Sequence, residues 1–204
     1  MKNSEELRET ATKIFIEGGN NADRIGGSSI VVFHQDEQGR VSRVMYDCGA
    51  LFAPEGIDAN SFVADVLKYL SVDDLSLKRA FPEGSSADIN KLREIYKAHG
   101  IGTKKLDAMF VTHMHEDHIG GIINLLRAGV KFPKIYASEP TIGVIERLCQ
   151  DAGIINIPEM QKINPYQTVK INDSMQVSAI PVSHSTVGAY AFYTKTAYNA
   201  EYMR

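Results

Sequence analysis

The sequence predicts a layered α/β domain, and three observations predict it. The chain opens as short strands separated by turn chemistry. Its middle carries helical periodicity. The remainder alternates strand and helix.

Ile14-Phe15-Ile16 is a brief β-branched and aromatic run, and it ends in the turn cluster of residues 18–21. Ile30 to Phe33 reads as a strand, residues 35–39 as a turn, and Val41 to Tyr46 as the returning strand. Asp47 then stands at a strand end. In residues 58–100, Phe62, Val63, Val66, Leu67 and Leu70 recur at three- and four-residue spacing, and Leu92, Ile95, Tyr96 and His99 repeat the pattern. Both stretches read as amphipathic helices.

Residues 106–112 form an apolar strand. Gly120-Gly121 then leads into a short helix over 122–128, closed by Gly129. Residues 134–137 are a strand. Glu139-Pro140 opens a helix that runs to about Asp151, with proline in the first turn, where its missing N–H costs nothing. Residues 169–171 and 175–182 form a hairpin across Asn172-Asp173, and 190–193 is one more strand. There is no internal repeat.

The 204 residues fit one domain or a large part of one, read here as 1–204 with a helical insertion at about 55–105. Hydrophobic residues at 44% and charged ones at 23% suit a globular core. The net charge of -3 shows no overall basic excess for nucleic acid, although a local basic groove is compatible with it. Cys48 and Cys149 form no CxxC pattern and read as free thiols. The first residues lack an apolar signal core, and no run approaches the roughly 20 apolar residues of a bilayer span. A cytoplasmic protein without membrane contact is expected.

The chemistry is concentrated in His113-Met114-His115-Glu116-Asp117-His118. Imidazole nitrogen and carboxylate oxygen suit zinc, with manganese an option where carboxylates take part. His113 and His115, two apart on an extended segment, point the same way and can grip one ion. Asp117 and His118, past a turn, can face a second ion about 3.5–4 Å from the first. His184 ends the apolar strand of residues 175–182 and is the candidate third histidine of the first position. Asp47 reads as a carboxylate that fixes a ligand or loop from behind. His34 and His99 read as structural or solvated.

With Tyr46-Asp47-Cys48-Gly49, the His113–His118 signature and His184 in this order, the sequence resembles the metallo-β-lactamase superfamily. It is most similar to ribonuclease J and the β-CASP nucleases. Residues 111–121, Lys134-Ile135-Tyr136-Ala137, the Thr141-Ile142-Gly143 helix start and His184-Ser185 with Gly188 are close to that family's wording. The resemblance implies an αββα sandwich with two zinc ions at one sheet edge. His113, His115 and His184 would hold the first, and Asp117 and His118 the second. Asp117 would also orient a metal-bound hydroxide that attacks the phosphorus of RNA or another phosphodiester.

The family's metal-bridging aspartate and last histidine have no counterpart in residues 194–204, where Glu201 is the nearest acid. The chain therefore reads as the N-terminal part of such a sandwich, with a second metal position that is weak. An apolar sheet face left open would favour a homo- or hetero-oligomer. The alternatives are a small-molecule hydrolase of the same fold (lactonase, thioesterase or cyclic-nucleotide phosphodiesterase) and a non-catalytic metal-binding remnant acting as a binding subunit.

Overall fold

A computed structural model describes residues 11–17, 28–49, 71–72, 105–127 and 130–197. The opening meander is β1 (Ala11–Glu17), β2 (Ser29–Gln35) and β3 (Val41–Tyr46), each antiparallel to the next. β5 (Ala108–Phe110), β7 (Ile135–Ala137) and β8 (Met160–Lys162) then add in parallel, giving the order β1-β2-β3-β5-β7-β8. Helix α1 (Glu116–Arg127) connects β5 to β7, and α2 (Glu139–Asp151) connects β7 to β8. Parallel neighbours need such crossovers, and these put helices on one face of the sheet. A separate three-stranded sheet of β9 (Thr168–Asn172), β10 (Met175–Pro181) and β11 (Tyr190–Thr196) is antiparallel throughout.

Strand alternation divides the apolar residues between two cores. Val31, Met45, Met109, Val111, Ile135 and Ala137 point to the helices. They meet Ile119, Ile122, Ile123 and Leu126 of α1 and Ile145 and Cys149 of α2. The α1 residues recur at three- and four-residue spacing, so one helix face is buried. Val32, Val44, Tyr46, Ala108 and Phe110 point the other way, against Met175, Val177, Ala179 and Tyr190 of the small sheet. Phe110 is fully buried, with ring centroids 5.7 Å from Tyr46, 5.0 Å from Tyr136 and 5.2 Å from Phe192. Aromatic pairs of this kind add roughly 0.5–1.5 kcal/mol each beyond area burial. The described layers are thus helix, large sheet and small sheet, three successive layers of the αββα sandwich expected from the sequence.

Two sequence expectations are corrected. The helix after the motif starts at Glu116 rather than 122, so Asp117, His118, Gly120 and Gly121 all lie inside α1. The glycines serve close packing rather than a turn: a Cβ on Gly121 would lie 2.7 Å from the Gly49 carbonyl oxygen and 2.8 Å from that of Cys48. Second, the edge strand β8 has no sequence counterpart. The outer face of the small sheet mixes Thr168, Lys170, Gln176, Ser178 and Lys195 with Ala191, Tyr193 and the exposed Ile180.

The helices expected within residues 58–100 lie outside the described residues. The described part of that insertion is β4 (Ser71–Val72), which pairs with β6 (Val130–Lys131). Among the described residues, no helix is long and apolar enough to cross a membrane.

Candidate metal centre

The predicted residues meet at the C-terminal edge of the parallel strands, where open α/β sheets place their ligand crevices. Asp47 follows β3. Thr112, His113 and His115 follow β5. Asp117 and His118 fall in the first turn of α1, and His184 lies in the loop after β10. The first turn of α1 opens on the His115 carbonyl, which accepts from the backbone N–H groups of His118 at 2.9 Å and Ile119 at 3.0 Å. Glu116 and Asp117 in that turn complement the positive end of the helix.

His113 Nε2 and His115 Nδ1 are 3.1 Å apart. One ligand atom from each of His113, His115 and His184 lies within 4.8 Å of the others. The His113 ring centroid is 4.3 Å from that of His184 and 4.0 Å from that of His118. His118 Nε2 stands 3.5 Å from Asp117 Oδ2. The five predicted ligands are therefore one cluster. Converging imidazole nitrogens with a carboxylate beside them form a donor set that fits zinc or a similar divalent ion.

Asp47 sits behind this cluster. It is almost completely buried and adopts a positive φ of 58°, a left-handed conformation that Asp tolerates better than most residues. Its backbone N–H extends the β3–β5 pairing to the Phe110 carbonyl at 2.9 Å. Its Oδ1 accepts the Thr112 backbone N–H at 2.7 Å, and its Oδ2 accepts the Thr112 hydroxyl and His118 Nδ1, each at 2.8 Å. The Asp47–Gly49 loop also touches α1 directly, since Cys48 N–H donates to the His118 carbonyl at 2.8 Å.

Thr112 was not among the residues singled out from sequence. Its hydroxyl lies 2.9 Å from His113 Nδ1, and its carbonyl accepts from Tyr190 N–H at 2.9 Å, which ties β11 to the site. The signal available in the sequence was a hydroxyl residue immediately before the first histidine, at a strand end. His184 is held differently. The Ser185 backbone N–H donates to its Nδ1 at 2.8 Å, and the side chain is exposed. His34 lies in β2, fully buried, within hydrogen-bond distance of Thr12 Oγ1 at 2.9 Å, and burial lowers its pKa. His99 lies outside the described residues. Cys48 and Cys149 are buried free thiols, and complete burial beside Asp47 pushes the Cys48 thiol up to about 12.

Burial and the neighbouring His118, His184 and His115 drive the His113 pKa down to about 4. Burial also opposes a proton on His118, but the hydrogen bond and charge of Asp47, helped by Asp117, outweigh it and raise its pKa. The two shifts have opposite consequences for metal-free stability. For His113 the unfolded state, near 6.5, takes the proton first. Its contribution is therefore lost as pH falls from about 6.5 to about 4. For His118 the stabilisation is fully present below about 6.5 and is lost as pH rises through the folded value. Urea midpoints in chelator will show His113→Asn flattening the acid-side loss. His118→Asn will remove a stabilisation seen at pH 5. Parallel pH profiles for parent and both variants would contradict this assignment.

Comparison with known proteins finds similar chains and a matching family. Ribonuclease J of Synechocystis sp. is 31% identical over 93 residues, which is 46% of this chain and 14% of that protein. Ribonuclease J of Mycoplasma pneumoniae is 25% identical over 169 residues, 83% of this chain and 21% of that protein. The chain thus spans about a fifth or less of the length of these relatives. Among solved structures, human tRNase Z, short form, superposes with a TM-score of 0.49 at 13% identity, covering 92% of this chain and 64% of that one. The sequence model of the Beta-lactamase superfamily domain matches residues 88–197, more than half of the chain, and the chain belongs to the metallo-β-lactamase superfamily.

Proposed function

We propose that the chain is a metal-dependent phosphodiesterase acting on RNA, with His113, His115 and His184 holding one zinc ion and Asp117 and His118 a second. The observation that carries this reading is the 3.1 Å approach of His113 Nε2 to His115 Nδ1 inside the cluster of His113, His115 and His184. Two imidazole nitrogens held that close either share a proton or share an ion, and a third histidine and a carboxylate beside them favour the ion. The likeness to ribonucleases J supports RNA as the substrate.

A divalent ion held by His113, His115 and His184, with a second on Asp117 and His118, would supply Lewis acidity and a water of pKa about 7. The protein groups do the remaining work. Asp117, part-exposed and 3.5 Å from His118 Nε2, would orient the attacking water through a carboxylate oxygen. Asp47 keeps His118 aimed by holding its Nδ1. The apolar layer behind His113 keeps the back of the site dry, which strengthens every charge interaction in it.

Zinc titration with single-stranded RNA, a cyclic nucleotide and a lactone in parallel tests the proposal. The expected result is uptake of two zinc ions per chain and hydrolysis of RNA alone. Zinc at 100 times its dissociation constant is also expected to stabilise the fold by about 2.7 kcal/mol. Turnover of the lactone or cyclic nucleotide instead of RNA would make it a small-molecule hydrolase. Zinc uptake with no turnover would make it a binding subunit. No zinc uptake and no chelator effect on melting would overturn the metal reading.

A further inference from the structure

We infer that Thr112 is a positioning residue: its hydroxyl, together with Asp47, fixes the ligating tautomers of His113 and His118 and so ties the two metal positions to one carboxylate. This rests on the metal reading above and adds a residue to it. The argument is a count of protons.

An ionised carboxylate only accepts hydrogen bonds. Asp47 Oδ2 lies 2.8 Å from His118 Nδ1, so the proton between them belongs to the imidazole. His118 therefore carries N–H at Nδ1 and offers the lone pair of Nε2, which is the nitrogen 3.5 Å from Asp117 Oδ2. The same Asp47 oxygen takes the Thr112 hydroxyl at 2.8 Å. A threonine hydroxyl has a single proton, and a bond to a carboxylate is the stronger use of it. The proton in the 2.9 Å contact between Thr112 Oγ1 and His113 Nδ1 must then come from the imidazole. His113 likewise carries N–H at Nδ1 and offers Nε2, the atom 3.1 Å from His115 Nδ1.

The hydroxyl thus works as an adaptor. It lets one buried carboxylate orient two histidines that point to different metal positions. His184 is held instead by its own loop: its Nδ1 accepts the Ser185 N–H at 2.8 Å and lies 3.1 Å from the Ser185 hydroxyl. Two of the imidazoles are pre-set by Asp47 and Thr112, and this one is not.

Thr112→Val keeps the shape and the backbone N–H bond to Asp47 Oδ1 while deleting the hydroxyl. In metal-free protein labelled with nitrogen-15 histidine, the parent is expected to show Nδ1–H forms of His113 and His118. In Thr112→Val, His113 leaves that form while His118 keeps it. Zinc affinity at the first position falls roughly 10–100-fold, the range for loss of a hydrogen-bonded support behind a metal ligand. Thr112→Ser restores both. A valine variant with parental tautomers and affinity would overturn the inference, as would a serine variant as weak as valine. If the valine variant does not fold, the parent spectrum still decides, because an Nε2–H form of His113 contradicts the count. A parent that takes up no zinc would defeat the metal reading, while the tautomer spectrum would still judge Thr112.

Discussion

Replacing His115 by alanine is expected to remove hydrolysis while leaving the fold in place. The side chain is only part-buried, and its closest contacts are with His113 and His184 rather than with either apolar core. Its loss should shift metal-free stability by no more than about 0.5 kcal/mol, as at other sites away from core and caps. The effect on chemistry is of another order. A metal in such a site contributes several kcal/mol of transition-state charge stabilisation, and about 4 kcal/mol corresponds to roughly 10³-fold in rate. The expected record is zinc stoichiometry lower by one, RNA turnover lower by about that factor, and an unchanged urea midpoint in chelator. Parental turnover with the zinc lost would mean that the cluster is not where the chemistry happens. A collapsed midpoint would mean that His115 is structural, and the loss of rate would then carry no mechanistic weight.

The contrast between His115 and its neighbours shows what a one-dimensional reading can reach. His113, His115, Asp117 and His118 were legible because their relation is local: a strand end, alternate positions, then a turn. His184 and Asp47 were legible as polar residues ending apolar strands. Their convergence on the motif was implied by the family resemblance rather than by spacing. Thr112 was not singled out, because its role exists only where Asp47 and two imidazoles meet around one hydroxyl. Strands with a buried alternating pattern, such as Val41–Tyr46, were found with their bounds. Met160–Lys162 was not, since a three-residue polar edge strand buries too little to leave a pattern, and its identity comes from pairing with β7. The start of α1 was misplaced for an opposite reason. Gly120-Gly121 weakens a helix by intrinsic preference, yet Gly121 is required where the helix backbone passes the Cys48–Gly49 carbonyls. Tertiary contact overrode propensity there.

That same contact sets the largest stability effect expected in the molecule, at Gly49. A Cβ added to Gly49 would stand 1.6 Å from the Asp117 carbonyl oxygen, 2.2 Å from its carbon and 2.9 Å from the His118 nitrogen. All three are backbone atoms of the first turn of α1, so no side chain can rotate away and the loop or the helix must move. Movement breaks a linked set of bonds: Cys48 N–H to the His118 carbonyl at 2.8 Å, Ser28 N–H to the Asp117 carbonyl at 3.0 Å, and Gly49 N–H to the Ser28 carbonyl at 3.1 Å. Each is worth about 1 kcal/mol when made and more when its buried groups are left unpaired. Gly49→Ala should therefore cost more than about 4 kcal/mol, a large share of the 5–15 kcal/mol that holds a typical domain. Gly143 supplies the control. It lies in α2 with nothing within 4 Å of an added Cβ, and Gly143→Ala should stabilise by roughly 0.5–1 kcal/mol. If Gly49→Ala survives as a folded protein, the displaced loop carries Asp47 away from His118, and the second metal position should fail before the first. Melting and zinc binding at parental values would show that the loop and helix do not touch as described, and the alignment of Asp117 and His118 by Asp47 would fall with that contact.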